Sequence, residues 1–234
     1  DLVNLALDAE IEAARIWLEA FAPPADASVV PGNHDAYVPG ALDKACRAWS
    51  PWMTGDGANA RATRKSFPYL RVRGPVALIG VSSAVATAPF LASGEFSGKQ
   101  ARKLAAILED TGARGLYRII MIPPPPLRGA ASPYKRLYGI RRFQKTVLKA
   151  GAELVLHGHT HLPTLGHIRG EDRSIPVAGV PAGGQGLNGH KPAAGYSLFD
   201  IEGEPGAWKT LMRRRALTSH TLGVAEVEHR LLEE

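Results

Sequence analysis

The sequence predicts an α/β fold, a sandwich of sheets with helices on the outside, and three observations carry that expectation. Before residue 160, amphipathic helical stretches alternate with short apolar strands; beyond it the chain reads mostly as strand; and two histidine-bearing polar motifs each begin where an apolar strand ends. Such alternation builds sheets flanked by helices, with ligands gathering at strand ends. The 234 residues suffice for one domain, residues 1–234, and fall short of two full ones. With 45% hydrophobic against 21% charged residues the chain can bury a sizeable core, which excludes intrinsic disorder as a description of the whole.

Leu7, Ile11, Ala14, Leu18 and Phe21 recur at alternating steps of four and three, one apolar stripe of a helix that must stop before Pro23-Pro24. Ser28 to Val30 reads as the end of a short buried strand entering the turn-prone Pro31-Gly32-Asn33-His34-Asp35. A helix around Leu42 to Trp49 precedes an irregular stretch rich in Gly, Ala and Asn. Tyr69 to Val72 and Val76 to Val81, separated by Arg73-Gly74-Pro75, form a hairpin pattern. From Gly98 to Asp110 a second amphipathic helix carries Ala101, Leu104, Ala105 and Leu108 on one face; strand Tyr117 to Ile122 comes next. A third helix, Ile140 to Lys149, stops at Gly151 and leads into strand Glu153 to Leu156, which ends in His157-Gly158-His159-Thr160-His161. Ile175 to Val180, Tyr196 to Ile201 and Ala207 to Leu211 are the remaining expected strands.

No apolar run approaches the roughly 18 to 20 residues that cross a bilayer. Cys46 is the single cysteine, so nothing marks an oxidising compartment, and a cytoplasmic location is the simpler expectation. A balance of 28 Lys and Arg against 22 Asp and Glu gives +6, which favours anionic ligands such as phosphates but does not by itself call for nucleic acid, which is not expected as a partner. Basic residues cluster at Lys135, Arg136, Arg141, Arg142, Lys145 and Lys149, and again at Arg213, Arg214 and Arg215. Both clusters read as solvated faces, the alternative being an anionic surface partner.

Chemistry enters with the polar motifs, since neutral imidazoles and carboxylate or amide oxygens are ligands for Zn, Mn and Fe. In an extended segment His159 and His161 would send both rings to one side, because alternate residues point the same way. Such a pair alone is a weak signal. Joined to Gly32-Asn33-His34-Asp35 after a separate strand, it gives a set of coordinating groups at the mouths of two strands.

These residues carry a resemblance. Val30-Pro31-Gly32-Asn33-His34-Asp35 and Gly158-His159-Thr160-His161 resemble the third and last signature blocks of the calcineurin-like metallophosphoesterases, and Asp1-Leu2-Val3-Asn4 resembles the Asp and its successors in that family's Gly-Asp block. Order and spacing fit, and the similarity is closest to the bacterial class III cyclic-nucleotide and glycerophosphodiester phosphodiesterases. The resemblance implies a metallophosphoesterase-type β-sandwich flanked by helices, with its first strand or strands preceding Asp1. It implies two divalent ions, Mn, Fe or Zn, bridged by Asp1, with Asn33 and His159 on one and His161 on the other. A carboxylate can bridge cations about 3.5 to 4 Å apart and lessen their repulsion. The implied reaction is hydrolysis of a small-molecule phosphodiester by a metal-bound hydroxide. His34, carried over as a catalytic residue and not a ligand, would contact the scissile phosphate and stabilise the transition state or protonate the leaving group. Asp35 either satisfies buried backbone donors or orients His34.

Two departures from the family stand out. No Asp-x-His block precedes Asp1, for which amino-terminal truncation is the simplest account. Where relatives carry His-His-Pro-Pro, this chain has Ile122-Pro123-Pro124-Pro125-Pro126-Leu127, and proline has no ligand atom. His157 and His190 are the candidates to fill the place or to approach substrate. Otherwise His157 reads as a satisfied buried residue supporting the ligands, and His190, His167, His220 and His229 as surface. The Pro123-Pro124 substitution suggests the alternative function, a family member with an impaired metal site acting as a binding or scaffold protein. Gly184-x-Gly186-x-x-Gly189 formally matches a dinucleotide fingerprint, but Pro192 stands where a helix must start; its glycines instead let backbone approach the cleft.

Overall fold

The structure, a computed structural model, describes residues 1–88, 91–221 and 223–232. The first apolar stripe becomes α1 (Asp8–Phe21), which buries Ile11, Ala14 and Leu18. Its free amino-terminal donors are met by Glu10, whose carboxylate accepts from the amides of Leu5 (2.9 Å) and Leu7 (3.0 Å). Helix α2 (Ala41–Ala48) packs beside it, and the indole of Trp49 donates to the Ile11 carbonyl at 3.0 Å. Together with Trp52, Met53 and Phe67 these residues form one of three apolar clusters.

Strands β1 (Tyr69–Arg73) and β2 (Val76–Gly80) pair antiparallel across a turn in which Gly74 takes φ +54°. After the short β3 (Gly94–Glu95) come α3 (Gly98–Ala113), whose amino terminus is capped by Ser97 Oγ, and β4 (Tyr117–Met121). The short β5 (Leu137–Tyr138) pairs with β3, and then come α4 (Ile140–Ala150), β6 (Leu154–His157), β7 (Leu165–Arg169) and β8 (Ser174–Gly179). The main sheet runs β1-β2-β4-β6-β8-β7, parallel from β2 to β8 and antiparallel at both edges. The chain ends in an antiparallel sheet of β9 (Gly195–Glu202), β10 (Lys209–Ser219) and β11 (Gly223–Leu232), with β10 in the middle.

Period-two alternation sorts the central strands between two cores. Ile79, Ile120, Val155 and Val177 face the helix side with Leu104 and Leu108 of α3 and Phe143 and Val147 of α4. Tyr117, Ile119, Leu154 and Ala178 pack instead with Met212 and Leu232 of the second sheet. The chain is therefore mixed α/β, a mixed sheet covered by helices on one face and by a smaller antiparallel sheet on the other, in line with the expected α/β sandwich.

Several expectations need correction. Ser28 to Val30 belongs to no sheet: the Val29 amide donates to the Trp52 carbonyl (2.9 Å) and its carbonyl accepts from the Tyr69 hydroxyl (2.8 Å), so neither group is left for a ladder. Strand β10 does not end at Leu211 but continues through the basic triplet, and β7 and β11 were not expected. Nor is the whole triplet a solvated face: Arg213 and Arg215 are partly exposed, but Arg214 between them is not. Arg214 is 5% exposed and donates to the Pro163 and Thr164 carbonyls (2.8 and 2.5 Å) and to Glu228 (2.6 Å), while Arg213 pairs with Asp200. Among the described residues no helix is long and apolar enough to cross a membrane.

One buried ion pair locks the helices to the sheet. Arg118 of β4 makes a two-pronged contact with Glu153 (3.0 and 2.5 Å), and the same guanidinium reaches the Ala150 carbonyl at the end of α4. Removing the carboxylate strands a largely buried cation and the Arg118 amide that Glu153 also accepts. Glu153→Ala is expected to cost on the order of 3–5 kcal/mol in urea unfolding. A loss under about 1 kcal/mol would show the pair to be solvated.

Candidate functional site

The site forms where the parallel strands β6 and β8 end. The loop after β6 (Gly158–His161) and the segment after β8 (Val180–Gly184) supply one side of a cleft of about 720 Å³; Asp1, Val3, Asn4 and His34 supply the other. Open α/β sheets gather ligands at such carboxyl ends.

On the amino-terminal side the organising group is Asp35, which is fully buried. Its Oδ1 accepts from the amides of Leu2 (2.9 Å) and Val3 (3.3 Å), and its Oδ2 from Gly32 (2.8 Å). Of the two roles expected for Asp35, the structure therefore displays the satisfaction of backbone donors. Asp1 in turn accepts from the His34 amide at 2.8 Å. Gly32 makes this approach feasible, since a Cβ there would lie 2.0 Å from Asp1 Oδ1. His34 donates from Nδ1 to the Asn4 carbonyl (2.7 Å) and stacks beside Tyr37, which leaves Nε2 as the nitrogen available to a ligand.

The opposite side differs from the extended segment expected. His159 and His161 both adopt left-handed backbone, φ +65° and +58°, at a cost of roughly 1–3 kcal/mol each for residues with a Cβ. The loop is held from several directions: the Gly158 amide donates to the Pro123 carbonyl (2.9 Å), Lys191 Nζ donates to the Thr160 carbonyl (3.3 Å), and His159 Nε2 donates to the Lys135 carbonyl (3.1 Å). His157 lies beneath, 6% exposed, with one ring nitrogen 3.0 Å from the Gly158 carbonyl and the other 3.2 Å from Thr164 Oγ1, so it has no nitrogen to spare for a ligand. Burial, then the nearby Lys135 charge, push the His159 imidazole down to about 4. Burial, with Lys135, Lys191 and His34 after it, lowers His161 as well. Both rings are therefore neutral, with lone pairs available, at neutral pH.

Asp1, His34, His159 and His161 thus meet on one cleft. Asn33, half-buried, adjoins the lining residues without being one of them, and His190 is exposed and outside the lining. Sequence reasoning missed Lys135 and Lys191 as neighbours of the imidazoles; only the fold brings their loops there. Pro123 contributes its carbonyl to the histidine loop where an imidazole was expected.

The donor types lining the cleft are ones a divalent metal takes: a carboxylate and two neutral imidazoles, one of them fixed through its other nitrogen to a backbone carbonyl. Between the two histidines, Thr160 Oγ1 is buried without a hydrogen-bond partner. The set is sparse, however, and among the described residues no three His, Cys, Asp or Glu side chains gather as a metal-binding group. No protein-family model matches the chain, and no curated protein matches it with significance.

Two measurements check this geometry. Asp35→Ala leaves three backbone donors without their acceptor, each worth roughly 1–3 kcal/mol when buried. Stability should fall by at least about 2 kcal/mol and residues 1–4 should lose hydrogen-exchange protection; retained protection would refute the tether. In chelator-treated protein, the His159 ring should titrate near 4 by NMR. Its folded value lies below the unfolded value of about 6.5, so the native state binds fewer protons in between, and this contribution to stability is lost as pH falls from about 6.5 toward 4. A His159 midpoint above 6 would contradict the burial.

Proposed function

We propose that this chain hydrolyses a phosphoester, in first line a phosphodiester, in a metallophosphoesterase-type site served by two divalent ions of the Mn, Fe or Zn kind. The observation that carries the reading is the convergence of Asp1 and His34 with His159 and His161 on one cleft, from opposite halves of the chain. The sandwich of a mixed sheet and a smaller antiparallel one, with the cleft at its strand ends, is consistent with that fold type. Asp1, Asn33, His159 and His161 would hold the metals, which when bound polarise the phosphoryl oxygens and activate water.

The protein's own groups divide the remaining work. Burial and the neighbouring lysines keep His159 and His161 neutral, as ligands must be. With Nδ1 donating to the Asn4 carbonyl, Nε2 is the His34 nitrogen left to exchange a proton with a substrate in the cleft, where it would serve a leaving ester oxygen. Gly183 and Gly184 line the cleft with open space where a side chain would be, leaving room for an ester substituent. Lys135 and Lys191 add positive potential that draws an anion inward.

A second reading is favoured by the sparse donor set and by Pro123: a phosphoester-binding protein whose metal site is impaired. The two readings part in one experiment. The purified protein supplied with Mn²⁺, Fe²⁺ or Zn²⁺ should turn over bis(p-nitrophenyl) phosphate and lose that activity to a chelator. His34→Ala should lower kcat on the order of 10² to 10⁴ while metal content by elemental analysis is unchanged. Binding of the diester without turnover at any metal would favour the second reading, and loss of metal in the variant would make His34 a ligand.

A further inference from the structure

Helix α4 carries Arg141, Arg142, Lys145 and Lys149 and no acidic residue. Arg141, Lys145 and Lys149 recur at every fourth position and share one face, where with Gln144 and Leu148 they form a wall of an open groove of about 880 Å³. The turn between β7 and β8 forms another wall and adds Arg173, and Arg128 supplies a fifth cation. Among the described residues none of these five cations forms an ion pair, whereas Arg118, Arg213 and Arg214 all do. Glu171 and Asp172 also line the groove, but they sit on the turn and do not interrupt the helical stripe.

That stripe is costly in isolation. Like charges four residues apart on a helix repel by a few tenths of a kcal/mol per pair. Arg141 and Arg142 also place positive charge in the first turn, where the helix dipole disfavours it. Among the described residues lining the groove, five cations face two carboxylates, Glu171 and Asp172, a formal excess of three positive charges whose complement is an anion from outside. The shape narrows the choice. A concave groove presents its cations to a strand-like ligand, while a flat bilayer would meet only the rim. No aromatic ring lines it to stack a base, and Leu148 is its one apolar side chain, which leaves phosphates as the recognised groups. Successive cations of the stripe rise about 6 Å along the helix, four residues at about 1.5 Å each, a spacing suited to repeated phosphates.

We propose that the groove between α4 and the β7–β8 turn binds the phosphodiester backbone of a nucleic-acid strand through Arg141, Lys145 and Lys149, without reading its bases. The site is separate from the histidine cleft, and the inference does not rest on the hydrolytic reading. The test is fluorescence anisotropy of the full chain with a short labelled single-stranded DNA of mixed sequence, across a range of salt. Three phosphate contacts should give a slope of log affinity against log salt of about −2. The charge-removing variant R141Q/K145Q/K149Q should weaken binding more than about tenfold and flatten that slope, and the reversal R141E/K145E/K149E should abolish it. Thermal unfolding monitored by circular dichroism establishes that each variant is folded; the milder one stands if the reversal is not. Wild-type affinity and slope in a folded variant would overturn the assignment. So would a tighter hold on phosphatidylserine vesicles than on DNA, lost in the same variants, which would make the groove a membrane contact. A strong preference for one base sequence would overturn the claim that only the backbone is recognised.

Discussion

One buried carboxylate sets the geometry of the cleft. Asp35 accepts from Leu2 and Val3 on one side and from Gly32 on the other, so a single side chain joins the amino-terminal segment to the loop that carries His34. A buried carboxylate is tolerable only when its oxygens are met by donors, and here three backbone amides supply them. The position of Asp1 depends on that joint: it bonds the His34 amide and occupies the space that Gly32 leaves by lacking a Cβ. Asn4 then lies where its carbonyl can fix the His34 ring. Each of these contacts presupposes the one before it.

The opposing side is organised by the sheet rather than by one side chain. Two left-handed histidines in three residues constitute a strained loop, and such strain persists only where the surroundings over-determine it. Here the constraints come from three directions: the Pro123 carbonyl beyond β4, the buried His157 at the end of β6, and the Lys135 and Lys191 segments. Arg214 adds a further clamp from the second sheet, since its guanidinium holds the carbonyls of Pro163 and Thr164 just past the histidine loop. The antiparallel sheet therefore does more than cover a core; it fixes the exit of the loop that presents His159 and His161.

The helices and the parallel strands were legible because their signals are local. Stripes such as Ile11–Ala14–Leu18, whose expected ends Leu7 and Phe21 are exposed, and compact apolar runs such as residues 154–157 are decided by their own residues, with Pro23 and Gly151 as stops. What was hidden depends on partners far away. Residues 28–30 look like a strand, yet Trp52 and Tyr69 take up the backbone groups of Val29. The triplet at 213–215 looks solvated, yet the pairing of β10 with β9 and β11 draws Arg214 into the interior. At the site, the motif residues were readable from type and spacing, but the reasoning that an extended His-x-His sends both rings one way was wrong: both rings reach one cleft through left-handed backbone. Lys135 stood out only as a member of a basic cluster and Lys191 not at all, and nothing in the sequence linked either to the histidines.

Those lysines bear on how ligands would share the cleft. After burial, the larger cause, Lys135 lowers the proton affinity of both imidazoles and Lys191 that of His161, because a positive charge nearby disfavours another. The same repulsion acts on a metal ion, which also brings positive charge to these rings, whereas a phosphate group brings the charge that offsets it. On the proposed reading, metal and anion therefore raise each other's affinity, and linkage requires the effect to be equal in both directions. Neutral His159 removes the competing cost, since no proton has to leave before its lone pair is used. On that reading the cleft would take up a metal most readily together with the ester, and the sparse set of protein donors would then matter less than for a metal held alone.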